Sequence, residues 1–257
     1  MNYLNLKKNE NMAMIEINHQ PANALSSDVL KELSILIDEL EHDNEVRVVV
    51  LHGKGKFFSA GADIKEFVQL SSEDNFSRLS KNGQSVFKKI ESLQKPVIAA
   101  IHGAALGGGL ELAMACHLRL VSNDAKLGLP ELQLGIIPGF GGTQRLPKYI
   151  GNGRALEMML TSEPITGEEA VRLGLANHSY PEEILLNEAK RLAAKFAAKS
   201  PKTVRAVLSL LNEDKIKLDQ EGYEKEAISF GEVFGSSDAK EGISAFIEKR
   251  EPKFTGE

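Results

Sequence analysis

Two short apolar runs limit the possible folds more than any other feature of the chain. Val46-Arg47-Val48-Val49-Val50-Leu51 is apolar almost throughout, and Val97-Ile98-Ala99-Ala100-Ile101 is apolar without interruption. An alternating strand can leave one face in water, whereas runs like these need cover on both faces, as in a parallel sheet flanked by helices. The intervening sequence supplies such helices. Ser26 or Ser27 is placed to cap a helix whose Leu30, Leu33, Ile37 and Leu40 share one face. A second amphipathic helix over residues 75–93 turns Phe76, Leu79, Gly83, Val86, Phe87 and Ile90 inward before Lys95-Pro96 stops it. With further strands at residues 12–17 and 118–121, strands and helices alternate to about residue 150, the pattern of an α/β domain.

From Thr143 onward the pattern is mostly helical. Thr166-Gly167-Glu168-Glu169 is a capping-box signature, and Gly174 closes that helix. Pro181 and Pro201 open helical stretches reaching residues 199 and 211, since a proline's missing N–H costs nothing at a helix start. Two more helices are predicted at residues 220–234 and 238–250. Segments without strands do not extend a sheet, so the division falls into an α/β core, residues 1–195, and a C-terminal helical region, residues 196–257.

Charge and composition narrow the function classes. Charged residues make up 26% of the chain with both signs interspersed, and the net charge of −5 offers no basic field for nucleic acid. No apolar run approaches the roughly 18 residues that span a bilayer. Residues 1–11 are polar and lysine-bearing, without the apolar centre of a signal peptide, so a cytoplasmic location is expected. Cys116 is the only cysteine and sits among Leu112, Ala113, Met114 and Ala115, where a small buried hydrophobe fits better than a nucleophile. His19, His42, His52, His102, His117 and His178 form no metal-binding pair of the H-E-x-x-H kind. The phosphate-binding G-x-x-x-x-G-K-[ST] is absent, as is G-x-S-x-G, because Phe57 stands two places before Ser59.

Three glycine-bearing stretches carry the chemistry. In Phe58-Ser59-Ala60-Gly61-Ala62-Asp63-Ile64-Lys65 a crowd of small residues follows a strand. That can be an ordinary corner, or a place where a ligand approaches main-chain N–H groups. In Gly103-Ala104-Ala105-Leu106-Gly107-Gly108-Gly109-Leu110-Glu111 three glycines open a helix that is apolar all round, so Glu111 is expected to be buried beside a helix N-terminus. An acid in a first turn is also ordinary dipole chemistry. The third stretch runs from Pro130-Glu131 to Gly139-Phe140-Gly141-Gly142-Thr143 and sets a second acid in apolar surroundings. Alone, Glu131 fits a salt-bridged core residue; with Glu111 it suggests paired acid–base work.

Together these segments, with Gln144-Arg145-Leu146 and the closing residues 240–250, resemble the enoyl-CoA hydratase/isomerase (crotonase) superfamily over nearly the whole chain. The resemblance implies a crotonase-like spiral of ββα units with a C-terminal helical region, assembled as trimers or dimers of trimers. It implies that Ala62 and Gly108 offer the N–H groups that hold a thioester oxygen. Ala60 and the run Ala62, Asp63, Ile64 and Lys65 match substrate positions along coenzyme A. Glu111 and Glu131 match the two acids that hold the attacking water, and Gly139 a backbone position that helps them. Phe230 and Lys249 match positions that approach the coenzyme A of a neighbouring subunit. Leu110 departs from the family's pattern, since some hydratases place a cysteine there, and with Phe140 it is expected to shape the acyl pocket.

The implied reaction is syn addition of water to a 2-enoyl-CoA, giving a 3-hydroxyacyl-CoA as in fatty-acid β-oxidation. No metal or redox cofactor is implied, since coenzyme A enters with the substrate. Alternatives are an isomerase working with one carboxylate, or a hydratase of branched or aromatic acyl-CoAs. A non-catalytic module binding RNA or protein is the alternative of another class, and the intact acid pair and the net charge count against it.

Overall fold

The computed structural model describes residues 1–67 and 73–255. The chain starts with a hairpin of β1 (Leu4–Asn9) and β2 (Met12–Ile17), then α1 (Ser27–His42), β3 (Val48–Gly53), the one-turn α2 (Ile64–Phe67) and α3 (Glu73–Ser92). There follow β4 (Val97–Ile101), β5 (Ala104–Leu106), α4 (Gly108–Ala115), β6 (Leu118–Ser122) and β7 (Lys126–Gly128). After a 3-10 turn, Glu131–Leu134, come α5 (Gly142–Thr161), β8 (Ile165–Thr166), α6 (Gly167–Leu173), β9 (His178–Tyr180), α7 (Glu182–Ala197), α8 (Pro201–Phe234) and α9 (Ser237–Glu248).

The larger sheet has the order β1-β2-β3-β4-β6-β9, parallel except for the β1–β2 hairpin. The apolar runs are covered on both faces, as expected. On one face Val49, Leu51, Ala99 and Ile101 meet the apolar stripes of α1 and α3. On the other, Val48, Val50, Ile98, Ala100 and Leu120 pack under Leu185, Ala189 and Ala193 of α7. Full burial of each such valine or isoleucine stabilises the sheet by about 1.5–3 kcal/mol. A second, small sheet of order β5-β7-β8 stands beside the N-terminus of α4.

Three departures from the expected elements have physical causes. β1 lies in the polar opening segment because it is an edge strand: only Leu4 is buried, and Lys7 and Lys8 face solvent along the edge. The stretch after residue 143 is not strand-free. β9, His-Ser-Tyr, has no apolar run, yet it extends the main sheet by pairing with Leu120, Val121 and Ser122. α8 is one helix of 34 residues where two were expected. No glycine or proline between residues 202 and 221 breaks the helix.

The C-terminal helices fold back on their own chain. α8 lies along α3, where Phe76, Phe230 and Phe234 join Ile136, Ala239 and Ile243 in a separate apolar cluster. The Phe76 and Phe234 ring centroids are 4.1 Å apart. Phe246 and Ile247 of α9 remain exposed. Among the described residues no helix is long and apolar enough to cross a membrane.

Candidate active site

The glycine turn before α4 is shaped by close backbone approach. Gly103 has φ +60°, and a Cβ there would stand 1.8 Å from the Lys56 carbonyl oxygen. A Cβ on Gly109 would lie 2.3 Å from the Ser59 carbonyl oxygen. With those side chains absent, Ser59 N donates to Ala104 O at 3.1 Å and Leu106 N to Ser59 O at 3.1 Å, which lays the 58–62 loop against the start of α4. Gly108 then faces Ala62, whose nitrogen is 3.3 Å from where a Gly108 Cβ would be. Neither the Ala62 nor the Gly108 N–H donates to a carbonyl of the described residues. Two unclaimed donors at a helix N-terminus are suited to a developing negative charge.

Glu111, in the first turn of α4, is 1% exposed. Its Oε1 accepts the N–H groups of Phe140 at 2.8 Å and Gly142 at 2.7 Å. Glu131 reaches the same cavity from the 3-10 turn after β7. The residue is partly exposed, but its Oε2 is buried with no hydrogen-bond partner among the described residues. Burial, and then the charges of Glu131 and Glu226, push the Glu111 carboxyl well above the usual range. Burial first, and then the Glu226 charge, push Glu131 up to about 8. At neutral pH the pair therefore retains a proton.

That displacement has a cost in stability. The unfolded chain releases the Glu131 proton near the ordinary 4.5, the folded chain only near 8. The group's contribution to stability is thus complete below the lower value and lost as pH rises to the upper one. Glu131→Gln has no proton to lose, so it is expected to be the more stable protein at neutral pH, by a margin that grows through this window and then levels off. Thermal melting from about pH 4 to about pH 9 checks this, and a margin independent of pH would contradict it.

The two acids sit in a cavity of about 870 Å³ whose walls include Ile64, Leu134, Ile136, Ile137 and Phe140. Phe140 is held edge-on to Phe87, with centroids 5.7 Å apart. Of the positions picked out by sequence, Ala60, Ala62, Ile64, Gly108, Glu111, Glu131, Gly139 and Phe230 all line this cavity. Asp63 does not; its N–H donates to Leu25 O at 3.3 Å. The Lys65 side chain lies outside the described residues. Phe230 lines the cavity of its own chain, where α8 folds back along α3, and a Cβ on Gly139 would stand 2.6 Å from its ring. Lys249 is exposed at the left-handed end of α9 (φ 56°) and does not line the cavity. Leu110 is wholly buried in the main core and takes no part in the cavity wall, leaving that role to Phe140.

Sequence reasoning missed Glu226. It is 4% exposed, on the face of α8 that carries Ala227 and Phe230, and it accepts the Gly141 N–H at 2.5 Å and the Thr143 N–H at 2.9 Å. An acid on the apolar side of an amphipathic helix was the available signal. Arg145, also buried, pairs with Glu91 at 2.8 Å and donates to the Phe140 carbonyl at 2.5 Å.

Paired acids of raised pKa in an apolar cavity, beside unclaimed main-chain donors, define an acid–base enzyme. The enoyl-CoA hydratase/isomerase family profile matches residues 7–257. The chain is 55% identical to a probable enoyl-CoA hydratase of Bacillus subtilis, over the whole of both chains. It is 42% identical to a short-chain-enoyl-CoA hydratase of Clostridium acetobutylicum, covering 97% of this chain and 96% of that one. The crystal structure of an enoyl-CoA hydratase from Bacillus anthracis superposes with a TM-score of 0.79 at 37% identity, covering 99% of this chain and all of the other. The chain belongs to the enoyl-CoA hydratase/isomerase family, and its fold is the crotonase fold. Nothing in these similarities supports a non-catalytic RNA- or protein-binding role.

Proposed function

We propose that in this enoyl-CoA hydratase Glu111 and Glu131 divide the two proton transfers that add water to a 2-enoyl-CoA. The observation that carries this reading is the meeting of both carboxyls, each raised by burial, in one apolar cavity. An enoyl thioester is electrophilic at Cβ only as far as negative charge collects on its carbonyl oxygen. The Ala62 and Gly108 N–H groups and the positive end of α4 stabilise that charge. Water loses a proton as it bonds to Cβ, and Cα gains one. Two N–H bonds to Glu111 favour its charged form, whereas Glu131 Oε2 has no donor among the described residues, so in this reading the retained proton is assigned to Glu131. Glu111 then takes the proton of water, and Glu131 delivers its own to Cα. The apolar walls keep other water from competing.

Turnover of 2-enoyl-CoAs of graded acyl length, followed by loss of the conjugated thioester absorbance with formation of 3-hydroxyacyl-CoA, tests the reading. Migration of the double bond without uptake of water would assign the site to an isomerase instead.

A further inference from the structure

The backbone from Phe140 to Thr143 is gripped by two buried acids on two different helices. Glu111, on α4, accepts the N–H groups of Phe140 and Gly142; Glu226, on α8, accepts those of Gly141 and Thr143, and also the Thr143 hydroxyl. Successive N–H groups therefore point alternately to one acid and the other. The left-handed Gly141, φ 101°, permits that turn, and a Cβ there would strike the Arg145 guanidinium at 2.1 Å. Gln84 completes the Glu226 environment by donating to its Oε1 at 3.2 Å.

A carboxylate is the side chain that can accept at both ends; an amide offers one oxygen only. The charged and titratable groups around Glu226 are Arg145, itself paired with Glu91 and stacked 5.0 Å from the Tyr223 ring, together with Glu111 and Glu131. Burial raises the Glu226 carboxyl, while its hydrogen bonds and Arg145 favour the anion. Its charge in turn raises both Glu111 and Glu131.

We propose that Glu226 is a positioning residue for the hydration: by holding Gly141 and Thr143 it aims the Phe140 and Gly142 N–H groups at Glu111, and so decides how that acid is presented to the cavity. This rests on the acid–base reading of Glu111 and Glu131. Glu226→Gln keeps one acceptor but loses the second and the charge. Its kcat is expected to fall by about 10-fold to 100-fold, the usual penalty of a small misplacement, with KM changed much less. Without the Glu226 charge both Glu111 and Glu131 ionise more readily, so both limbs of the pH–rate profile move to lower pH.

The same downward shift is expected in the carboxyl-stretch titration of the ligand-free protein by infrared difference spectroscopy. That readout does not depend on turnover, so it separates failure of this inference from failure of the hydratase assignment. A folded Glu226→Gln protein whose kcat is unchanged, or whose rate falls with the pH limbs and carboxyl titration unmoved, overturns the proposal. If Glu226→Gln does not fold, Glu226→Asp carries the test. It retains the charge but not the reach, so kcat should fall with the limbs in place. Full activity of Glu226→Asp, or failure of both variants to fold, overturns the positioning role in favour of a structural one.

Discussion

Glu111→Gln and Glu131→Gln are each expected to lower kcat for enoyl-CoA hydration by about 10²-fold to 10⁴-fold, the range for a positioned acid or base. That corresponds to roughly 3–5 kcal/mol of transition-state stabilisation. Glutamine matches the shape of either acid but exchanges no proton at neutral pH. At position 111 it can still accept the Phe140 and Gly142 N–H groups through its one oxygen, so the loop before α5 should stay in place. At position 131 its amide can stand in place of a buried oxygen, Oε2, that has no partner among the described residues. KM should change far less than kcat, because the acids act on charge and protons that move only in the transition state. The double variant should lose little more than either single one, since two groups acting on one water work as a unit. Steady-state kinetics on folded proteins checks this, and near-normal turnover in either single variant would remove the acid pair from the mechanism.

Gly108→Pro is expected to cost at least about 10²-fold to 10³-fold in kcat, the penalty for one lost oxyanion donor. Position 108 is the first residue of α4, where a proline is accommodated by the helix and removes an N–H that no carbonyl of the described residues uses. Gly108→Ala provides the comparison. It keeps the donor but places a methyl 3.2 Å from the Phe140 ring and 3.3 Å from Ala62 N, so its loss reports crowding alone. The loss in the proline variant is expected to exceed that in the alanine variant. A folded Gly108→Pro enzyme as active as Gly108→Ala would place the donor elsewhere.

What the sequence determined by itself was whatever rests on local periodicity and on composition within a few turns. The runs around Val49 and Ala99 had to be covered on both faces, and they are, by helices whose stripes repeat at 3–4 residue spacing. The capping box was readable because Thr166 and Glu169 need only each other's backbone: Glu169 N donates to Thr166 Oγ1 at 3.2 Å and Thr166 N to Glu169 Oε2 at 3.3 Å. The burial of Glu111 followed from the apolar helix around it. Tertiary structure alone decided which distant pieces meet. β9 is a strand only because β6 offers it a backbone edge, and nothing in His178, Ser179 or Tyr180 demands that pairing. Glu226 reaches Thr143 across 83 positions and Gly141 across 85, a meeting that depends on α8 lying along α3. The periodicity of a helix states which of its faces is buried, but not against what. The partner is chosen by the packing of whole elements, and here that packing sets a second buried acid, Glu226, behind the loop that holds Glu111.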